Sequence, residues 1–353
     1  MMTVASMRGA LHASRRRSAR LCHCHAVNFA LKHLPMATIS IILRTYNRAD
    51  RLGRALRSAL AQDWPEKQII VLDDGSTDNT REMLERDFPG QVEYHWQKNA
   101  GLQGARLAGL QHATGEYVAY LDSDDEWHPD FLSGCMELFG KFPDVGLVFA
   151  NFEKRSFDSS ATDASSFERF RLLRPYLRQD PVGIHYLTPA ALRELYIDYI
   201  PAPTSAMLMR RALMPTEWKG ISKSSCDWMT ALHMILRHHT AGAFWAAPRW
   251  IKWCDADGIA DGNHDALYRA KIRTHDRQVM LDNFTEFMTP AEVAVMKADV
   301  ADHNFDAGYG LALEGKTKLA LECFRTAFHY RPNAKTAAAI AKTAVKGILR
   351  RAA

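Results

Sequence analysis

No run in the 353-residue sequence approaches the about 18 apolar residues that a bilayer-spanning helix needs, so no membrane-crossing helix is expected. Six cysteines are few for this length, and they sit at neither disulfide-framework nor zinc-ribbon spacing. Cys135, Cys226, Cys254 and Cys323 therefore read as free thiols of a reducing compartment. The segment "CHCH" (22–25) offers soft metal ligands, but no partner pair follows at zinc spacing. G-x-G-x-x-G is missing after the first apolar run, where "RTYNRADRLG" stands instead, which argues against a dinucleotide oxidoreductase. Acids are missing from residues 1–35, whose Arg8, Arg15, Arg16, Arg17, Arg20 and Lys32 exceed the formal net charge of +5. The remainder nets to −1, which excludes a basic nucleic-acid-binding surface spread over the whole body. The same arm lacks the apolar core and cleavage site of a secretory signal. It is Arg-rich and acid-free like a transit peptide, yet "MATISIILRTYNR" starts a strand almost at once after Met36. Residues 1–35 are thus expected to be a disordered basic arm or an over-extended start.

What is present, from Thr38 to Asn151, is an alternation of short β-branched runs and helical stretches. "TISIIL" (38–43), "QIIVLDD" (68–74), "VEYHW" (92–96) and "EYVAYLD" (116–122) read as strands. Between them, "RADRLGRALRSALAQ" places Leu52, Leu56, Ala59 and Leu60 at helical spacing, and "STDNTREMLERDF" and "GLQGARLAGLQHATG" read as two more helices. Strand and helix repeated in this way predict an α/β fold, a Rossmann-like, mostly parallel sheet flanked by helices. Ligands of such sheets lie beyond the carboxyl ends of the strands. Three of these ends are polar: "RTYN", "DDGSTDN" and "DSDDEW". Residues 152–226 are less regular, "CDWMTALHMILRHH" (226–239) is again helical, and from about 275 the chain reads as all helix.

The acids carry the chemistry that can be argued from residues alone. "DSD" (122–124) puts two carboxylates on one side of an extended end, suited to Mg²⁺ or Mn²⁺ with phosphate oxygens completing the shell; a solvated acidic turn is the other reading. Four acids in five positions repel one another, and either open solvent or a bound cation is expected to offset that. "DDGSTDNT" (73–80) is either an acceptor for a base or ribose or a turn and helix cap. "RTYN" (44–47) offers an aromatic face, with Asn47 as ligand or cap.

In combination, "ISIILRTYNRADRLGRALRSALAQDWPEKQIIVLDDGSTDNT" followed by "NAGLQGARLAGLQHATGEYVAYLDSDDEWHPDFL" resembles the nucleotide-binding half of family 2 glycosyltransferases with the GT-A fold. The resemblance covers about residues 38–150 closely and about 151–260 more faintly. It implies a GT-A domain over 36–265, with a nucleotide-binding half (36–150) and an acceptor half (151–265), and a helical C-terminal appendage over 266–353. By position it implies that Thr45, Tyr46 and Asn47 line the nucleobase pocket and that Asp73 and Asp74 bind the nucleotide, with Asp74 on the base. Arg106 would reach the nucleotide, Asp122 and Ser123 the ribose side, and Asp122 and Asp124 the divalent metal, Mn²⁺ or Mg²⁺. The catalytic base of the family begins a helix after the acceptor region, which implies Asp227. Three positions depart from the family pattern: Arg44 replaces a proline, Leu107 an asparagine, and Cys226 the acid before the base. A His common in the final loop has no clear counterpart, with Asp255, Asp257 and His264 as candidates.

The expected activity is inverting, metal-assisted transfer of a hexosyl or related sugar from a nucleoside-diphosphate donor to a saccharide or lipid-linked acceptor, in polysaccharide or cell-envelope synthesis. A catalytically impaired nucleotide-sugar-binding protein of the same fold is the alternative. A Mg²⁺-dependent phosphohydrolase would carry its acid pair after the first strand, not the fourth. The last segment, "AKTAAAIAKTAVKGILRRAA", is basic and acid-free, which is expected of a helix resting on the inner face of the cytoplasmic membrane or of a packed helix with a solvated face. A cytoplasmic location is expected, and no nucleic-acid partner.

Overall fold

Strand β1 (Ile39–Thr45) is apolar at successive positions because both of its faces are covered: Ile39, Ile41, Ile42 and Leu43 expose no surface. A computed structural model describes residues 37–156, 159–164, 167–254 and 265–352. The arm 1–35, the "CHCH" segment, Asp255, Asp257 and His264 lie outside the described residues. Helix α1 (Ala49–Leu60) buries Leu52, Ala55, Leu56 and Ala59 and keeps its arginines outward. Strand β2 (Lys67–Asp73) then runs parallel to β1, with Ile41 opposite Ile69 and Thr45 opposite Asp73. Helix α2 (Thr80–Asp87), strand β3 (Glu93–Trp96), helix α3 (Gly101–His112) and strand β4 (Tyr117–Asp122) repeat the pattern. β4 lies on the other side of β1 with Arg44 opposite Asp122, so the polar ends of β1, β2 and β4 open on one crevice. A Cβ at Gly109 would lie 2.5 Å from Ile42 Cγ2, so α3 rests on β1 at a contact only glycine allows.

The second half adds β5 (Asp125–Trp127), α4 (Phe131–Lys141), β6 (Val145–Ser156), β7 (Ser159–Ala164), α5 (Arg174–Gln179), β8 (Ile184–Leu187), α6 (Pro189–Asp198), β9 (Met207–Arg210), α7 (Cys226–His238) and β10 (Ala241–Cys254). The strand order is β3-β2-β1-β4-β9-β6-β10-β5, with β7 beside β6 and β8 beside β10. The mostly parallel sheet expected from the sequence holds for β1 to β4 and for the β6–β10 pair. As a whole the sheet is mixed, because β9 runs antiparallel between β4 and β6 and β5 antiparallel to β10. The register of β10 shifts on either side of Pro248, which has no N–H for the ladder.

Four helices follow: α8 (Ala266–Phe284), α9 (Pro290–Leu313), α10 (Thr317–Tyr330) and α11 (Ala334–Ala352). The first begins at Ala266, the start expected for the helical appendage and ahead of the all-helical stretch read from about 275, with the Asp265 carboxylate capping Tyr268 N. Leu311, Ala320, Cys323 and Phe324 form a small core of their own. Thr289 and Glu292 make a capping box at the start of α9, and Glu292 also receives Arg193 of α6 through Nε at 2.6 Å and Nη2 at 2.8 Å. Among the described residues no helix is long and apolar enough to cross a membrane.

Candidate active site

The crevice is tied together by side chains at the strand ends. Asn47 takes a left-handed backbone (φ 50°), and its Oδ1 accepts from Thr77 N at 2.7 Å while its own N donates to Ser76 Oγ at 2.9 Å. It thereby clamps the loop after β1 to the loop after β2. Asp73 has both oxygens engaged, Oδ1 by Ser76 N and Oδ2 by the Tyr94 hydroxyl, each at 2.8 Å. The next carboxylate differs. Asp74 is fully buried; its Oδ1 accepts from Gln97 Nε2 (2.7 Å) and Ala100 N (2.8 Å), and its Oδ2 has no partner among the described residues. Thr45 Oγ1 is likewise buried without a partner, and Tyr46 projects to solvent. A buried carboxylate oxygen left unpaired costs stability unless a ligand completes it. Gly75 (φ 91°) makes the turn that positions this pair; its Cβ would sit 3.0 Å from Asn99 N.

The acid cluster is offset by guanidinium groups rather than left to solvent. Arg106 is buried and donates Nη2 to Asp122 Oδ1 at 3.0 Å. Arg48 reaches Asp124 Oδ2 at 3.2 Å, and Arg54 pairs with Glu126 at 2.9 Å. Burial alone would raise the Asp122 carboxyl, but Arg106 and Arg44 outweigh it and hold the group below the usual range. Asp125 is buried, and burial, with Asp122 and Asp124 nearby, pushes its carboxyl well above that range. Ser123 is nearly buried in the turn between Asp122 and Asp124. Trp127 is a core residue whose indole donates to Ser205 O at 2.6 Å. Among the described residues no three His, Cys, Asp or Glu side chains gather as a metal site. Asp122 and Asp124 do present two part-exposed carboxylates at the crevice, hard donors that suit Mg²⁺ or Mn²⁺ when substrate phosphates supply further ligands.

The first turn of α7 enters the same crevice. Asp227 Oδ1 accepts from Thr204 Oγ1 at 2.7 Å and from Arg106 Nη1, so one guanidinium joins the carboxylate ending β4 to the carboxylate starting α7. Arg106 Nη1 also meets Cys226 Sγ at 2.9 Å; burial raises the Cys226 thiol above its ordinary value and keeps it protonated. Against the cost of burial, neighbouring acceptors hold Arg106 firmly charged. Arg44 lies across from Asp122, and its Nε is buried without a partner.

Of the residues singled out from the sequence, Asp122, Asp124 and Asp227 reach the crevice part-exposed, Asp74 and Arg106 lie buried beneath it, and Tyr46 projects to solvent; Asn47 and Asp73 hold its loops. Thr204, Ser205, Gln97, Arg48 and Arg54 were missed. Thr204 and Ser205 sit in a short irregular stretch with no periodicity, and a lone Arg or Gln in a helix or loop carries no pattern.

Residues 40–213 match the family model described as glycosyl transferase family 2. An uncharacterised glycosyltransferase of Nostoc is 42% identical over 113 residues, 31% of this chain and 35% of that protein. A poly-beta-1,6-N-acetyl-D-glucosamine synthase of Staphylococcus epidermidis is 34% identical over 123 residues, 34% of this chain and 30% of the synthase. The chain thus matches about a third of the length of these relatives. In solved structures, residues 1–349 of S. aureus TarS with UDP-GlcNAc align over 86% of this chain and 84% of that one, with a TM-score of 0.59 at 17% identity.

Proposed function

Since this chain belongs to glycosyl transferase family 2 and has the GT-A fold, we propose that it moves a sugar from a nucleoside-diphosphate donor to a hydroxyl of a saccharide or lipid-linked acceptor, with inversion at the anomeric carbon. The observation that carries the proposal is the Arg106 bridge between Asp122, which ends β4, and Asp227, in the first turn of α7; on this reading Asp122 serves the donor and Asp227 the acceptor. The unpaired Oδ2 of Asp74 supports a nucleobase N–H as its missing donor. Thr45, at the end of β1, is joined to Asp74 by the Asp74 N–H, which donates to its carbonyl at 2.9 Å. Asp122 and Asp124 would hold a divalent ion, Mn²⁺ or Mg²⁺, which when bound neutralises charge on the departing diphosphate. Asp227 takes the proton of the acceptor hydroxyl. Arg106 and Thr204 fix its Oδ1, leaving Oδ2 for the proton. A base on the face opposite the leaving group gives a single displacement with inversion.

The name of the Staphylococcus synthase and the UDP-GlcNAc of the TarS complex support a saccharide acceptor and a nucleotide-sugar donor. A binding protein of the same fold is the second reading, favoured by Cys226 in place of an acid and by the engagement of Asp227 with Arg106. Release of nucleoside diphosphate from a panel of UDP-, GDP-, CDP- and dTDP-sugars with Mn²⁺ or Mg²⁺ decides between them. Turnover by the wild type and its loss in Asp227→Asn establish transfer. Donor binding without turnover in either form establishes the binder.

A further inference from the structure

Away from the crevice, α9, α10 and α11 enclose a groove of about 410 Å³, within the range of ~300–1,000 Å³ typical of ligand pockets. Its floor is aromatic, made by Phe305, Tyr309 and Phe324, and Leu313 stands largely exposed at its edge. On the α11 side Ala338 and Ala339 are too small to fill the space. The same stripe of α11 carries Lys335, Lys342 and Lys346, seven and four residues apart, so all three project along one edge of the groove. Lys335 Nζ lies 4.2 Å from the Phe305 ring centre. Among the described residues none of the three lysines is ion-paired, and α11 contains no acid with which to pair them. An ordinary helix contact would set leucines where these alanines and lysines stand.

We propose that this groove binds an anionic lipid, its hydrocarbon chain along the aromatic floor and its phosphate head at Lys342 and Lys346. The polarity of the two sides argues for that occupant. A hydrocarbon chain asks for no hydrogen bonds, and besides the lysines the side chains lining the groove offer only the Tyr309, Thr317 and Thr343 hydroxyls. A peptide would bring backbone N–H and C=O groups that this floor leaves unpaired. Phosphate, in turn, is the natural complement of lysines that lack acids. The proposal is independent of the transfer reaction and is tested without it.

The probe is dodecyl phosphate below its micellar concentration, titrated calorimetrically into the full chain, with inorganic phosphate and dodecyl maltoside as comparators. Saturable binding of dodecyl phosphate alone is expected, with hydrogen-exchange protection in 305–324 and 335–346. The exposed pair Lys342→Gln/Lys346→Gln should keep the wild-type melting temperature and bind about 10-fold or more weakly. Ala339→Phe should fill the groove and weaken binding too, and where it fails to fold the lysine pair remains the test. Equal binding of dodecyl maltoside, unchanged affinity in the lysine pair, protection elsewhere, or capture of an acidic peptide with no uptake of dodecyl phosphate would each overturn the proposal.

Discussion

One guanidinium, that of Arg106, touches both carboxylates on which the proposed transfer rests, and its geometry sets what each substitution does. Asp227→Asn retains an oxygen for Thr204 and Arg106 and loses only the ability to accept a proton. Its kcat should fall by about 10²–10⁴-fold while calorimetric affinity for the nucleoside diphosphate stays unchanged. Asp74→Asn is sharper still. Gln97 and Ala100 both donate to Oδ1, so the new amide must place its oxygen there and turn its NH₂ toward the ligand. An acceptor becomes a donor, and nucleotide affinity should drop by about 1–3 kcal/mol with the melting temperature little changed. Retained affinity would remove Asp74 from base recognition. Asp74, Asp122 and Asp227 were legible because each ends a strand or starts a helix in a readable pattern. The partners that hold them were not, since Gln97, Thr204 and Ser205 acquire their roles only when distant segments meet.

At the scale of elements, β1, β2, β4 and the first three helices follow from patterns their own sequences encode, the buried runs of the strands above all, whereas β3 has no buried residue and is held as a strand by its pairing with β2. β5 does not: three residues, two of them acidic, become a strand only by pairing with β10, more than 120 positions later. The close contact of α3 on β1 also escapes sequence reading, yet it sets the height of Arg106 above the sheet. Gly109→Ala drives a methyl into Ile42 and should cost about 1–3 kcal/mol in urea unfolding. Arg193 and Glu292 bind α6 to α9 by a two-pronged pair, and hydrogen bonding to Arg193 holds the Glu292 carboxyl down to about 2, against an ordinary 4.5. A carboxyl depressed on folding stabilises above its unfolded value and ceases to as pH falls through the folded one. Arg193→Met should therefore cost about 1.5–3 kcal/mol at pH 7, and its deficit relative to wild type should shrink between pH 4.5 and about 2. A deficit that stays constant across that window would show that packing, not charge, joins the helices.

For the molecule as a whole, the C-terminal helices are more than a neighbour of the transferase fold, because α8 supports the loop that presents Asp227. Asp276 on α8 is buried and accepts from Lys223 N (2.7 Å), Ser224 N (2.9 Å) and Ser224 Oγ (2.7 Å), in the turn just before α7 begins. Asn283 exchanges hydrogen bonds with Lys219, and the Arg277 guanidinium lies 3.8 Å over the Trp228 ring, one residue beyond the candidate base. Three residues of one helix thus fix the loop and the first turn of α7, while the proposed donor end of the crevice is built on β1, β2 and β4. Loosening α8 should consequently separate chemistry from donor binding. Asp276→Ala leaves two backbone N–H groups unpaired, at about 1–3 kcal/mol each, and frees the 222–225 turn to move. Because an ångström of misplacement of a catalytic group is enough to cost about 10²-fold, kcat should fall by that order while calorimetric affinity for the nucleoside diphosphate remains at the wild-type value. Equal loss of both would mean that α8 supports the whole fold rather than the position of Asp227.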